Sequence, residues 1–400
     1  MSDWREVAVE ALCSRVTSGG TPSRKRADYY TDEGIPWVKS QELIGARIAT
    51  TEEHISEAGL ERSSAKLLPP DTVLLAMYGA NVGQLGWLGV EATVNQAICA
   101  MVTDPKEADA RFLYYALAGA RERLVGNAHG AAQQNLSQQL IKPFKLAVPA
   151  LATQQRIGAI LRSIDELIEN NRRRIEVLEK MARAIYREWF VKFRYPGHED
   201  VPLVDSALGP IPEGWRAATI GDALELKYGK ALKASARRGG GVAVVSSAGV
   251  VGWHDESFVD GPAIVVGRKG NVGSVHWVDG PCWPIDTAYF VQTDLPLRFV
   301  SEQLRRTAFT NSHAAVPGLS REAAYAQPFL LPDVQVLDSF QALVDPLGSH
   351  ATGLMSQNEK LAEVRDLLLP KLVTGQIDVS SLDLDAVIST GSTEESAVAQ

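Results

Sequence analysis

The sequence predicts an α+β protein: two pseudo-repeated α/β domains separated by two long helices that pair as an antiparallel coiled coil. Three observations predict it. The first is a heptad seam. With Ile157 as position a, Ile157, Ile164, Asn171, Leu178 and Ile185 recur every seven residues, and Leu161, Ile168, Ile175, Ala182 and Trp189 each follow four later. Such a stripe seeks another helix rather than a globular face. The second is a matching seam of Phe340, Leu347, Leu354, Leu361 and Leu368, with Leu343, Val344, Val364 and Leu372 filling the intervening places. Pro346, Gly348 and Gly353 weaken its first half.

The third is an internal repeat. Gly79-Ala-Asn81-Val-Gly83, Trp87 and Thr103-Asp104 match Lys269-Gly-Asn271-Val-Gly273, Trp277 and Thr293-Asp294 at a constant offset of 190. Leu136-Ser137 and Pro149 match Leu319-Ser320 and Pro332 at 183, and Trp4-Arg5 and Trp215-Arg216 open the two halves alike. The order is globular domain (1–150), first long helix (151–195), linker and second globular domain (196–331), second long helix (332–378), and an acidic tail (379–400) read as disordered.

Four hundred residues bury ample core, and 22 % charged residues are ordinary for a folded chain. No apolar run approaches the ~20 residues that span a bilayer. The N-terminus carries no basic-then-apolar leader, so the cytoplasm is expected. Cys13, Cys99 and Cys282 have no ligand spacing, which argues against a disulfide framework or zinc, and no metal site is expected. Net charge is −8, yet residues 332–400 alone carry 3 Lys+Arg against 11 Asp+Glu. The globular domains are therefore balanced and free to present local basic faces.

In chain order, the loop SGGTPSRKRADYY sets Arg24, Lys25 and Arg26 beside Tyr29 and Tyr30, and Lys39 follows a strand-like run. Basic loops beside aromatics suit phosphate contact and base-edge reading; a solvated surface loop is about as common. The segment 67–104 reads as a β-meander whose polar tips are Tyr78, Asn81, Asn95 and Gln96, with Gly79 and Gly83 supplying positive φ. Asn95-Gln96 suit adenine, whose N6 and N7 accept bidentate amides, although an ordinary satisfied turn explains either residue alone. Gln133 lies in an amide-rich loop without acids. In the first helix Asn171 at an a position would fix register. The second domain offers Lys230, Arg237, Arg238, Arg268, Lys269 and Asn271 as loop clusters. There is no GxSxG, HExxH or Walker loop, no Asn/Asp-Pro-Pro-aromatic loop and no paired carboxylates with a lysine, so no catalytic residue is nominated.

Together, SGGTPSRK, LLAMYGANVGQLGWLG…TVNQA, QQNLSQQLIKPFKLAVPALATQQRI, DSALGPIPEGW and LLPKLVTGQI resemble the specificity subunits of type I restriction-modification systems over nearly the whole chain. The resemblance implies that each globular domain is a target recognition domain reading one half of a bipartite, asymmetric site on double-stranded DNA. It implies that the paired helices set the spacer and dock two modification (methyltransferase) subunits, with restriction subunits in the full complex. It implies no catalysis and no cofactor in this chain; AdoMet, and ATP with Mg2+ for restriction, would belong to the partners. No membrane is implied. Two departures stand out. Gln154-Gln155 and Asp338-Ser339 replace the Glu-Gln frequent after the proline-rich lead-in, and Ile285-Asp286 stands where the first half has Asn95-Gln96. The alternative from the residues alone is a two-domain coiled-coil scaffold that binds proteins rather than DNA.

Overall fold

The computed structural model describes residues 4–45, 47–127, 135–309 and 318–380. Both long segments form single helices, Leu151–Phe190 and Val334–Val373, each of 40 residues. Pro346 does not interrupt the second helix. Contacts divide the chain into two compact units, residues 1–170 with 358–400 and residues 171–357. This division differs from the expected limits at 150 and 331, because each globular part takes with it the half of each long helix packed against it.

In the first unit a five-stranded sheet runs in the order Cys13–Ser18, Ile98–Thr103, Val73–Ala76, Leu85–Leu88, Arg47–Ile48. Val73–Ala76 is apolar throughout and wholly buried, as a strand covered on both faces must be. Alternation along it divides two cores. Val73 and Leu75 join Phe112, Leu113 and Leu117 of the helix Ala110–Gly119, while Leu74 and Ala76 join Val38, Leu88 and Ala100 on the other side. A second sheet pairs Ile35–Val38 with Glu53–Ile55 and, in parallel, with Thr93–Val94.

The second unit repeats this plan. Its main sheet runs Glu225–Tyr228, Ala288–Gln292, Ala263–Gly267, Val275–Val278, and Val242–Ser246 pairs in parallel with Cys282–Pro284. One refinement of the repeat follows from which face each residue takes. Here Ile264 and Val266 turn to the helix-side core and Ala263 and Val265 to the other. Trp277 pairs with Ile264, whereas Trp87 pairs with Val73. The strand before the glycine turn is therefore offset by 191 and the one after it by 190, so the second turn is one residue shorter. A uniform offset of 190 would put every side chain of that strand on the wrong face.

The long helices pair antiparallel within each unit. In the first unit Ile157 and Leu161 share the main core with Leu368 and Leu372, and Arg365 Nη1 donates to Asp165 at 3.0 Å. Asn358 Nδ2 donates to the Ile168 carbonyl at 3.3 Å. In the second unit Asn171 Nδ2 donates to Gln357 Oε1 at 3.1 Å. Tyr186, Trp189 and Phe190 surround Phe340 at ring separations of 6.2, 6.0 and 4.9 Å. The expected seam residues Ile157, Ile164, Asn171, Phe340 and Leu354 are buried, and Leu178, Ile185, Leu347, Leu361 and Leu368 are half-buried. Two of the expected gap-fillers are not in the seam. Leu343 and Val364 are 47 % and 46 % exposed. The places four residues after Phe340, Leu347, Leu354 and Leu361 are taken by Val344, Ala351, Asn358 and Arg365. A strict heptad count allowed either side of the stripe, and partner geometry decides which side closes.

Two glycines in the long helices are close-approach positions rather than breaks. A Cβ on Gly158 would lie 2.8 Å from an Asp109 carboxylate oxygen, and one on Gly348 would overlap the Arg298 guanidinium at 1.8 Å. Gln154 is buried; its amide donates to the Glu107 and Pro149 carbonyls and accepts from the Asp109 N–H, so both amide polar atoms are matched. None of the described helices is long and apolar enough to cross a membrane.

Candidate nucleic-acid interface

Each unit gathers three segments at one end of its main sheet. In the first unit these are the loop after Cys13–Ser18, the glycine turn after Val73–Ala76, and the turn after Thr93–Val94. Gly19 forces the first against the third, since a Cβ there would fall 1.8 Å from the Val94 carbonyl oxygen. Gly79 and Gly83 adopt φ of +84° and +77°, as their place in the turn anticipates. Thr21 donates to the Gln96 side chain, and the Tyr78 hydroxyl donates to the Gln96 carbonyl at 2.6 Å. Asn81 Nδ2 reaches the Ser40 carbonyl at 3.3 Å. Tyr78, Asn81 and Gln96 are thus brought together, with Thr21 and Ser40 between them. Asn95 instead accepts from the Ala97 N–H at 3.1 Å, closing its own turn.

The basic loop is anchored from beneath. Trp37 Nε1 donates to the Gly20 carbonyl and the Tyr30 hydroxyl to the Pro22 carbonyl, at 3.0 and 2.7 Å. Arg24 stacks over Tyr30 at 4.3 Å and meets Glu53 at 2.5 Å. Lys39 meets Glu52 and Glu53 at 2.7 and 3.0 Å, and Arg26 meets Asp28 at 2.7 Å. The Arg24 hydrogen bond is the main cause that holds the Glu53 carboxyl below the usual range, with Lys39 adding to it. Three of the four nominated cations here are therefore already matched by acids; Lys25 is exposed. Gln133 lies outside the described residues.

The second unit builds the same corner from different groups. Gly229 packs on the Ile285 carbonyl, 2.2 Å from a would-be Cβ, as Gly19 does on Val94. The Arg268 and Lys269 N–H groups both donate to the Thr287 carbonyl, at 2.9 and 3.0 Å. The Arg268 guanidinium donates twice to the Asp286 carbonyl, at 3.2 and 2.8 Å, and lies 5.2 Å over Tyr228. Lys230 sits 5.5 Å over Trp283, and Lys269 and Asn271 are exposed. Arg237 and Arg238 lie elsewhere, in the segment that precedes the hairpin Val242–His254. Arg237 donates to the Val251 carbonyl at 2.6 Å, and Arg238 is bound to Asp255 and Glu256 at 2.8 and 2.6 Å.

Tyr228 and Arg321 belong to this corner and were not nominated from sequence. Arg321 lies 4.4 Å over Tyr228, and Tyr228 is 50 % exposed. A signal for Arg321 exists: it directly follows Leu319-Ser320, the dipeptide matched to Leu136-Ser137. Among the described residues no group of three His, Cys, Asp or Glu is arranged to hold a metal ion.

Residues 1–180 match the family model of the type I restriction modification DNA specificity domain. The chain is 25 % identical to the type I restriction enzyme MjaIX specificity subunit of Methanocaldococcus jannaschii, with 95 % of each chain covered. It is also 25 % identical to the EcoR124I/EcoR124II specificity subunit of Escherichia coli over 44 % of this chain and 46 % of that one. In fold it resembles the specificity subunit of a type I restriction-modification system from M. genitalium, with a TM-score of 0.62 at 18 % identity over 93 % of this chain and 96 % of that one. Near-complete alignment, the repeated α/β units and the paired long helices agree: the chain is similar over nearly its whole length to the type I restriction-modification specificity subunits.

Proposed function

We propose that each unit reads one half of a bipartite, asymmetric site on double-stranded DNA with the three-segment corner described above. In this reading the paired helices fix the length of the unread spacer and dock the methyltransferase subunits, which in turn carry the restriction subunits. AdoMet, and ATP with Mg2+, belong to those partners, and the complex works in the cytoplasm. The observation that carries the reading is the repetition of one corner with different exposed side chains: Tyr78, Asn81 and Gln96 in the first unit, Lys269 and Asn271 in the second. Amides and lysine are groups that pair with adenine and guanine edges, and two differing readers suit an asymmetric site.

The test is to express the chain with its methyltransferase subunits and sequence the methylated positions. Replacing Asn81 and Gln96 by Ala is expected to relax bases in one half only, at about 1–3 kcal/mol per lost bidentate contact. Relaxation in both halves, or an unchanged motif, overturns the assignment. Inserting four residues near Asn171 with a matching insertion near Gln357 is expected to lengthen the spacer, and an active variant with the original spacer refutes the ruler.

A further inference from the structure

We infer that Arg268, Arg321 and Tyr228 form a phosphodiester anchor in the second unit that has no counterpart in the first. The inference rests on the DNA-reading function proposed above and adds to it an inequality between the two readers.

The site is built rather than incidental. The Leu319 N–H donates to the Arg268 carbonyl at 2.8 Å, and the Tyr289 hydroxyl donates to the Leu319 carbonyl at 2.9 Å. These bonds fix the segment that carries Arg321 against the turn that carries Arg268. Tyr228 pairs with Tyr289 across the adjacent strands, and its ring receives both guanidiniums, Arg321 at 4.4 Å and Arg268 at 5.2 Å. Among the described residues neither arginine has a carboxylate partner, and the Arg321 Nε is buried with no hydrogen-bond partner. Arg268 gives two donations to the Asp286 carbonyl, so most of its five N–H groups remain for a ligand. Two positive charges around a half-exposed aromatic ring, with no carboxylate in ion-pair range among the described residues, attract an anion. A phosphodiester supplies the charge and several acceptor oxygens at once. Guanine would also accept an arginine, but guanidiniums held back on a tyrosine ring have less reach than a base-edge reader needs.

The aligned positions in the first unit are neutral. Arg268 corresponds to Met77 at the offset of 191, since the Leu136 N–H donates to the Met77 carbonyl as the Leu319 N–H does to that of Arg268. Arg321 corresponds to Gln138 at 183. Tyr228 corresponds to Ser18, since Gly229 and Gly19 hold equivalent places, and Ser18 pairs with Cys99 where Tyr228 pairs with Tyr289. Of the first unit's nominated cations, Arg24, Arg26 and Lys39 are offset by Glu53, Asp28 and Glu52.

The experiment uses the complex of this chain with its methyltransferase subunits and a duplex carrying the sequence that the complex methylates. Affinity is measured across a salt series for the wild type, Arg268→Gln, Arg321→Gln and Arg321→Lys. Each glutamine variant is expected to lower the slope of log affinity against log salt by about one, to bind roughly tenfold more weakly near 0.15 M salt, and to keep the methylated motif. Arg321→Lys is expected to keep most of the slope. A second arm avoids any folding defect in a variant: neutral methylphosphonates are placed singly along the duplex with wild-type protein. One or two positions beside a single half-site are expected to weaken wild-type binding and to leave Arg321→Gln unchanged. Slopes unaltered by either glutamine variant, or no such phosphate position, overturn the anchor. A changed base in the motif makes the pair a base reader and overturns it as well. A wild-type complex with no sequence-dependent binding instead overturns the DNA-reading function on which the anchor rests.

Discussion

The two units share a plan but settle charge and seat their helix halves by different chemistry. In the first unit the long helices enter the globular core through aliphatic side chains, Ile157, Leu161, Leu372 and Val373, with one polar set alongside. Asp165 there accepts from Arg365 and from the Tyr115 hydroxyl, at 3.0 and 2.6 Å. In the second unit the seat is aromatic: Tyr186, Trp189, Phe190 and Phe340 pack with Phe299 and Trp215. The loop corners contrast in turn. Arg24, Arg26 and Lys39 of the first unit are tied to acids, whereas Arg268 and Arg321 of the second lie on tyrosine rings. The lesson is that a duplicated scaffold preserves backbone register and core alternation, while the side chains that meet solvent or partners are free to diverge.

The comparison breaks most sharply at the aromatic seat. Phe340 is 1 % exposed and touches three rings of the first long helix. Phe340→Ala is expected to cost about 3–5 kcal/mol, read as a lowered thermal transition of the second unit by calorimetry. A loss no larger than that of a surface alanine substitution would refute the seat. Next is Asp165→Ala in the first unit. It leaves the buried Tyr115 hydroxyl without its acceptor and Arg365 with Asp366 alone, an expected cost of about 1–3 kcal/mol. Asp165→Asn, which still accepts from Tyr115, is expected to recover part of it by the same denaturation measurement.

The smallest effect is electrostatic. Glu53 bridges Arg24 and Lys39 and is held below the usual glutamate range, chiefly by its hydrogen bond from Arg24. A depressed carboxyl contributes stability that is complete above its unfolded value and is lost as pH falls through its folded value. The loss therefore belongs below about pH 4.3, and solvent screening keeps it under about 1 kcal/mol. Glu53→Gln is expected to remove that acid-side dependence from urea midpoints. It is also expected to raise non-specific DNA affinity a few-fold at low salt, because two cations lose their acid. An unchanged affinity would mean that Arg24 and Lys39 face away from the duplex.

Much of the fold was legible because it is periodic. The seven-residue stripes located both long helices, and the constant offset located the duplicated turn. What escaped depends on contacts distant in sequence. The acid that neutralises Arg24 lies 29 residues away, and nothing local joins the two. The one-residue difference in the glycine turn was hidden because the ungapped match runs straight through it, and only the side each strand residue faces reveals the slip. Asn81 and Gln96 were legible as polar tips between apolar strands. Arg321 was marked only by its place after the matched Leu319-Ser320, since the ring it lies on, Tyr228, is distant in sequence. The choice of Val344 and Arg365 over Leu343 and Val364 shows the same limit: hydrophobicity marks a stripe, and the facing helix decides its centre.

The joints between the two units fall inside the long helices, at Asn170/Asn171 and at Gln357/Asn358, next to the paired amides. The second unit is thus one uninterrupted stretch of chain inserted between two pieces of the first. Genetic exchange across those two joints would transplant a whole unit together with its own core.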